Sequence, residues 1–129
     1  MAQDQEKVEH PGVLKRMATM NMAKAALAPL VDMMAGRILF DETRARSSRR
    51  ALTRALRDIP RRFRKPHEDP LSNASDDIWV YWETFSLRAK SARQAARRLR
   101  TGNLNGLRQT LPEMVNACLA CHDTFRKPP

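Results

Sequence analysis

Between Ile78 and Leu99 the apolar residues recur at alternating steps of four and three: Ile78, Trp82, Phe85, Ala89, Ala92, Ala96 and Leu99. That spacing keeps one side of an α-helix apolar for its whole length, and such a side has to be buried against another element. Three further stretches repeat the pattern. The first helix is predicted from about Gly12 to Ala35, with Val13, Met17, Met20, Leu27, Val31 and Met34 in its stripe, a kink at Pro29 and Gly36 as its C-cap. Asp41 is placed to cap a second helix that turns Ala45, Ser48, Leu52, Ala55 and Ile59 inward and is expected to stop at Ile59-Pro60. Pro60 to Ser75 reads as the one long connection. Ser75, Asp76 and Asp77 open the third helix, the acids favouring its positive end, and Gly102 closes it. Leu107, Leu111, Met114, Cys118, Cys121 and Phe125 mark the fourth, in which Pro112 either sets a kink or begins the regular part. Four such stripes in 129 residues predict an all-α fold, an antiparallel four-helix bundle, as one domain spanning residues 1–129.

Composition agrees. Gly is scarce at 4 residues and aromatics make up 5%, too few for a β-sandwich or barrel, while Ala, Leu, Arg and Met favour helix. No apolar run is long enough for a membrane-spanning helix. The net charge of +10 is unevenly spread: ten basic residues and only Asp58 lie between Thr43 and Lys65, and six basic residues with no acid lie between Ser86 and Thr101. Such a surface is either a solvated face or a docking face for an anion.

The chain holds two cysteines, in Cys118-Leu119-Ala120-Cys121-His122. On one helical turn, two thiols at this spacing can add to the two vinyl groups on adjacent pyrroles of a haem, and the following histidine brings an imidazole to the iron. This is the pattern of covalent haem c attachment. A thioredoxin-like redox pair would need a preceding strand, and a zinc site two further ligands, whereas His10 and His67 stand isolated in polar surroundings. They are read as surface residues. A haem also supplies the large apolar plate that a small core poor in aromatics lacks. No acid–base pair, nucleophile arrangement or phosphate loop is present, so no enzyme is expected.

The motif lies only seven residues from the end of the sequence, on the last predicted helix. In that position it resembles the cytochrome c-prime family, the class II c-type cytochromes. Other stretches are similar too: Val13-Leu14-Lys15-Arg16-Met17-Ala18-Thr19-Met20 to the first-helix signature, Ala28-Pro29-Leu30 to the end of that helix, and Asp77-Ile78-Trp79 through Trp82 and Phe85 to the start of helix three. Cys118 to His122 with Asp123-Thr124-Phe125-Arg126 matches the closing motif. The resemblance implies export to the periplasm with removal of a signal peptide, although Met1 to Glu6 has no signal-like character. It implies His122 as an iron ligand and Arg16 near a haem propionate, while Arg126 either shapes the proximal side of the haem or complements the C-terminal end of the helix. Pro112 departs from the pattern. The family often forms an antiparallel homodimer through the first two helices, and the six arginines crowded on helix two stand against that pairing.

Family members divide by what faces the iron opposite the histidine. One branch has an apolar residue there and an open iron that takes nitric oxide or carbon monoxide. The other has a methionine thioether, a soft ligand that favours the ferrous state and suits electron transfer. The matching residue is Met20, with Met17 one turn away as a weaker candidate, and the leading expectation is a periplasmic electron carrier with His122 and Met20 as axial ligands. The alternative is the five-coordinate, gas-binding form, with the methionines of helix one as adaptable core filler. The expected partner is an acidic redox protein or an anionic surface. A basic helical protein that binds nucleic acid is a third reading, supported by the arginine runs alone; it leaves Cys118 to His122 unexplained, and no nucleic-acid partner is expected. Trp79 and Trp82 are read as core packing, one of them able to edge the haem.

Overall fold

The computed structural model describes residues 8–128. The proposed processing point lies outside them. The elements are α1 (Pro11–Met34), α2 (Glu42–Phe63), the single turn α3 (Asp77–Val80), α4 (Trp82–Arg97) and α5 (Leu104–Phe125). The four long helices form the expected bundle, with α2 packed between α1 and α4, and α5 closing the circuit against α4 and α1. No helix among the described residues is long and apolar enough to cross a membrane.

The caps follow the residues. Asp41 accepts the amide of Arg44 at 3.0 Å, and Asn103 accepts that of Gly106 at 2.7 Å. At the end of α1, Gly36 takes φ +77°, its N–H bonds the carbonyl of Met33 and that of Arg37 bonds Asp32, the paired closure that needs a left-handed residue.

Three helical expectations are corrected. First, α2 does not stop at Ile59-Pro60 but runs to Phe63. Pro60 removes the bond to the Leu56 carbonyl, yet Ile59 and Phe63 on either side of it are both buried. Burying two such side chains yields about 1.5–3 kcal/mol each, enough to offset the roughly 3 kcal/mol cost of an interior proline. Second, helix three is broken at Tyr81, where ψ is 48°. On an unbroken helix Trp79 and Trp82 would share a face. The break lets Trp79 turn to α2, its Nε1 donating to the Phe63 carbonyl at 2.6 Å, while Trp82 stacks on Phe85. Third, α1 is buried on a wider arc than its predicted stripe. Leu30 and Met33 are fully enclosed against the neighbouring helices, whereas Met17, Met20 and Leu27 line a cavity. Pro112 interrupts neither α5 nor its stripe, because its missing donor falls on the exposed side.

The long connection, residues 64–76, is fastened at both ends. Glu9 donates its amide to Asp69 Oδ2 at 3.0 Å, and the rings of His10 and His67 stack 4.2 Å apart. At the far end, Ala74 pairs with Arg126 as an isolated antiparallel bridge, with Ser75 N–H on the Phe125 carbonyl and Lys127 N–H on Asn73. His10 and His67 are thus half-buried partners and not free surface residues. Partial desolvation, then the charges of His10, Arg16 and Lys65, hold His67 below the ordinary 6.5. A histidine that is harder to protonate when folded contributes stability above its unfolded value and loses it as the pH falls below 6.5. Residues 64–76 are therefore expected to open more at pH 5 than at pH 7.5, read by hydrogen exchange at the amides of His67 and Ser72. Equal protection at both pH values, after correction for intrinsic exchange, would show that the stack does not hold the loop.

Candidate functional site

Between the helices lies a cavity of about 490 Å³, within the range of cofactor pockets. Val13, Met17, Met20 and Leu27 line it from α1, Leu52, Leu56 and Phe63 from α2, Phe85, Ala89 and Ala92 from α4, and Cys118, Cys121, His122 and Phe125 from α5. Leu71 to Ala74 add a further stretch of wall from the loop. Three faces of α2, α4 and α5 thus turn the stripes read in the sequence onto one apolar space, and the two thiols and the imidazole enter it from one helix. Both cysteines are unpaired and half-buried. Burial, with a smaller contribution from Cys121, pushes the Cys118 thiol up to about 11, and burial also raises Cys121 against the opposing pull of Arg88. Burial and the charge of Arg126 lower His122, favouring the neutral imidazole that can act as a ligand.

Phe85 is the centre of an aromatic cluster, 5.5 Å from Phe63, 5.5 Å from Trp82 and edge-on to Phe125 at 5.3 Å. Such pairs contribute about 0.5–1.5 kcal/mol each beyond area burial, and Phe63, Phe85 and Phe125 among them line the cavity. Trp79 and Trp82 stand behind this layer and neither lines the cavity.

Arg16 is the residue whose setting the sequence least revealed. Only 2% exposed, it lies over the rings of Trp79, at 4.8 Å, and Phe63, at 5.4 Å. Its two terminal nitrogens donate to the carbonyls of His67 and Lys65, so the guanidinium ties the loop to α1. Its Nε has no partner and the side chain lines the cavity. Burial lowers its pKa, but an arginine stays charged. A buried cation with one donor to spare in an otherwise apolar cavity fits an anionic group on whatever occupies the space. Arg126 is exposed at the cavity's rim, its N–H bonded to the His122 carbonyl. No group of three or more His, Cys, Asp or Glu stands ready for a metal ion among the described residues. Paired thiols, an adjacent imidazole, an apolar hollow and a spare buried donor are the features a covalently attached haem requires. The bundle and its site are those of a c-type haem protein.

The sequence profile of the family described as Cytochrome C′ matches residues 12–126, and the chain belongs to that family. Its cofactor is covalently attached haem c. Solved structures share the fold. Cytochrome c′ from Rhodobacter spheriodes is 19% identical with a TM-score of 0.83, the match covering 92% of this chain and 96% of that one. A mutant of Rhodopseudomonas palustris cytochrome c′ is 21% identical with a TM-score of 0.81, over 93% and 100% of the two chains. A ferrous variant of cytochrome c prime from Alcaligenes xylosoxidans with bound NO is 18% identical with a TM-score of 0.82, over 92% and 94%. Comparison with curated protein sequences gives no match.

These findings correct the leading functional expectation. Electron transfer with His122 and Met20 as axial ligands is set aside, because the family is that of cytochrome c′ and structures of its fold include nitric oxide complexes. Met20 is a half-buried wall residue beside Met17 and Leu27, as adaptable core methionines are.

Proposed function

We propose that this chain is a gas-binding cytochrome c′, in which Cys118 and Cys121 hold the haem through thioether bonds and His122 is the sole protein ligand of the iron. The observation that carries the reading is the shared cavity: both thiols and the imidazole line it from α5, while α1 lines it with Val13, Met17, Met20, Ala23 and Leu27 beside the buried Arg16 and the exposed Asn21 and Lys24. When bound, haem iron with one open position takes nitric oxide or carbon monoxide. The protein's part is to hold, orient and exclude. Leu52, Leu56 and Phe85 keep water from the interior, and an apolar hollow of this kind admits small uncharged molecules. Arg16, already fixed by two carbonyls and two rings, offers its remaining donor to a propionate, and Arg126 keeps a positive charge beside His122.

Binding, not turnover, is the activity in this reading. The periplasm is its proposed location, since covalent attachment of this kind resembles that of exported bacterial cytochromes. The basic outer face fits an anionic partner, and the arginines along α2 disfavour pairing of two copies through α1 and α2. The resting spectrum tests the central point. The isolated ferric and ferrous holoprotein is expected to be high-spin and to take up carbon monoxide readily. A low-spin ferrous spectrum with slow carbon monoxide uptake would overturn the open-site reading.

A further inference from the structure

Outside the haem cavity, the seam between α2 and α4 carries a second concavity of about 410 Å³, lined by Arg49, Arg50, Thr53, Arg54, Arg57 and Arg97. The same helix builds both sites: α2 turns Leu52, Leu56 and Ile59 inward, and Arg50, Arg54 and Arg57, at i, i+4 and i+7, away from them. Like charges at these spacings oppose one another, so the cluster lowers the helix's own stability. Little on the chain neutralises it. Among the described residues Arg49, Arg50, Arg54 and Arg97 enter no ion pair, and the Asp58 carboxylate that lies 3.8 Å from Arg57 is closer to Arg61, at 3.2 Å. Arg49 is held in place by a bond from Nη1 to the Leu99 carbonyl at 3.2 Å.

The lining also narrows the partner. No apolar side chain contributes to it, whereas a protein interface is built around an apolar or aromatic centre. Guanidinium forks pair in parallel with the oxygens of a phosphate, and Thr53 adds a hydroxyl. Arg50 to Arg57 extends about 10 Å along the helix axis, more than one phosphate can span. We propose that this groove is a binding site for a short chain of linked phosphates, inorganic or the tail of a nucleoside triphosphate, separate from the haem cavity.

The test is calorimetric titration of the holoprotein at low salt with orthophosphate, tripolyphosphate and ATP. Tripolyphosphate is expected to bind at least about tenfold more tightly than orthophosphate, the gain of adding charged hydrogen bonds along the groove. Equal affinity for ATP and tripolyphosphate would assign recognition to the phosphate chain alone, and tighter ATP binding would add the nucleoside. Arg50→Gln with Arg54→Gln should weaken tripolyphosphate binding by about tenfold or more, with the haem absorption and helical circular dichroism unchanged, while Arg44→Gln, outside the groove, leaves it intact. Orthophosphate binding as tightly as tripolyphosphate, or full affinity in the double variant, would overturn the proposal. So would an acidic peptide that binds the groove more tightly than tripolyphosphate, because the site would then read a protein partner.

Discussion

The double variant Cys118→Ala, Cys121→Ala is expected to release all of its haem into acid-acetone and to lose most of its cooperative unfolding. Each single variant keeps one thioether and should retain haem at reduced yield. The size of the effect follows from the core. Leu52, Leu56, Phe63, Phe85, Ala89 and Ala92 turn their side chains onto a hollow of about 490 Å³. Extrapolating the cavity cost of roughly 24 cal/mol per Å³ gives an upper bound of about 12 kcal/mol for leaving that space empty. The whole stability of a domain is only about 5–15 kcal/mol. Collapse and water entry reduce the cost, but not to nothing, so the haem-free chain should show weakened circular dichroism and a broad thermal transition. Covalent haem surviving extraction from the double variant would refute the attachment by Cys118 and Cys121.

Met20→Ala is expected to leave the resting spectrum unchanged and to raise the carbon monoxide association rate by about tenfold, equivalent to about 1.4 kcal/mol off the barrier. Met20 is half-buried in the cavity wall, and truncation removes its flexible thioether from the path of a ligand entering beside α1. Met17→Ala should have a smaller effect in the same direction. A shift from low to high spin on replacing Met20 would mean that sulfur binds the iron after all. An unchanged rate would place the entry route along another wall, with Leu71 to Ala74 the next to vary.

Periodicity was enough for the four long helices, because each has to bury a stripe and the stripes are regular. Cys118, Cys121 and His122 were legible for a different reason, since their chemistry depends on local spacing along one helix. What escaped was non-local. The run of α2 past Pro60 depends on Phe63 meeting Phe85 from another helix, and the break at Tyr81 on Trp79 reaching back to α2. The role of Arg16 was hidden because its partners, Lys65 and His67, lie about fifty positions away in a segment with no periodicity at all. Choosing between Met20 as ligand and Met20 as wall was beyond the residues themselves, because a thioether packs well in either role.

The placement of both thiols on α5 has a consequence for how the molecule is made. During synthesis α1, α2 and α4 emerge before the helix that carries the attachment points, and α1 with α2 forms a sequence-adjacent pair with extensive mutual packing. Without α5 the cavity wall built by α1, α2 and α4 would lack the side that carries Cys118, Cys121 and His122. Loop residues 73–75 acquire their pairing with Phe125, Arg126 and Lys127 only with that helix. Haem attachment, closure of the bundle and fastening of the loop therefore all depend on the last helix, and a chain cut before Cys118 could neither hold its cofactor nor cover its own interior.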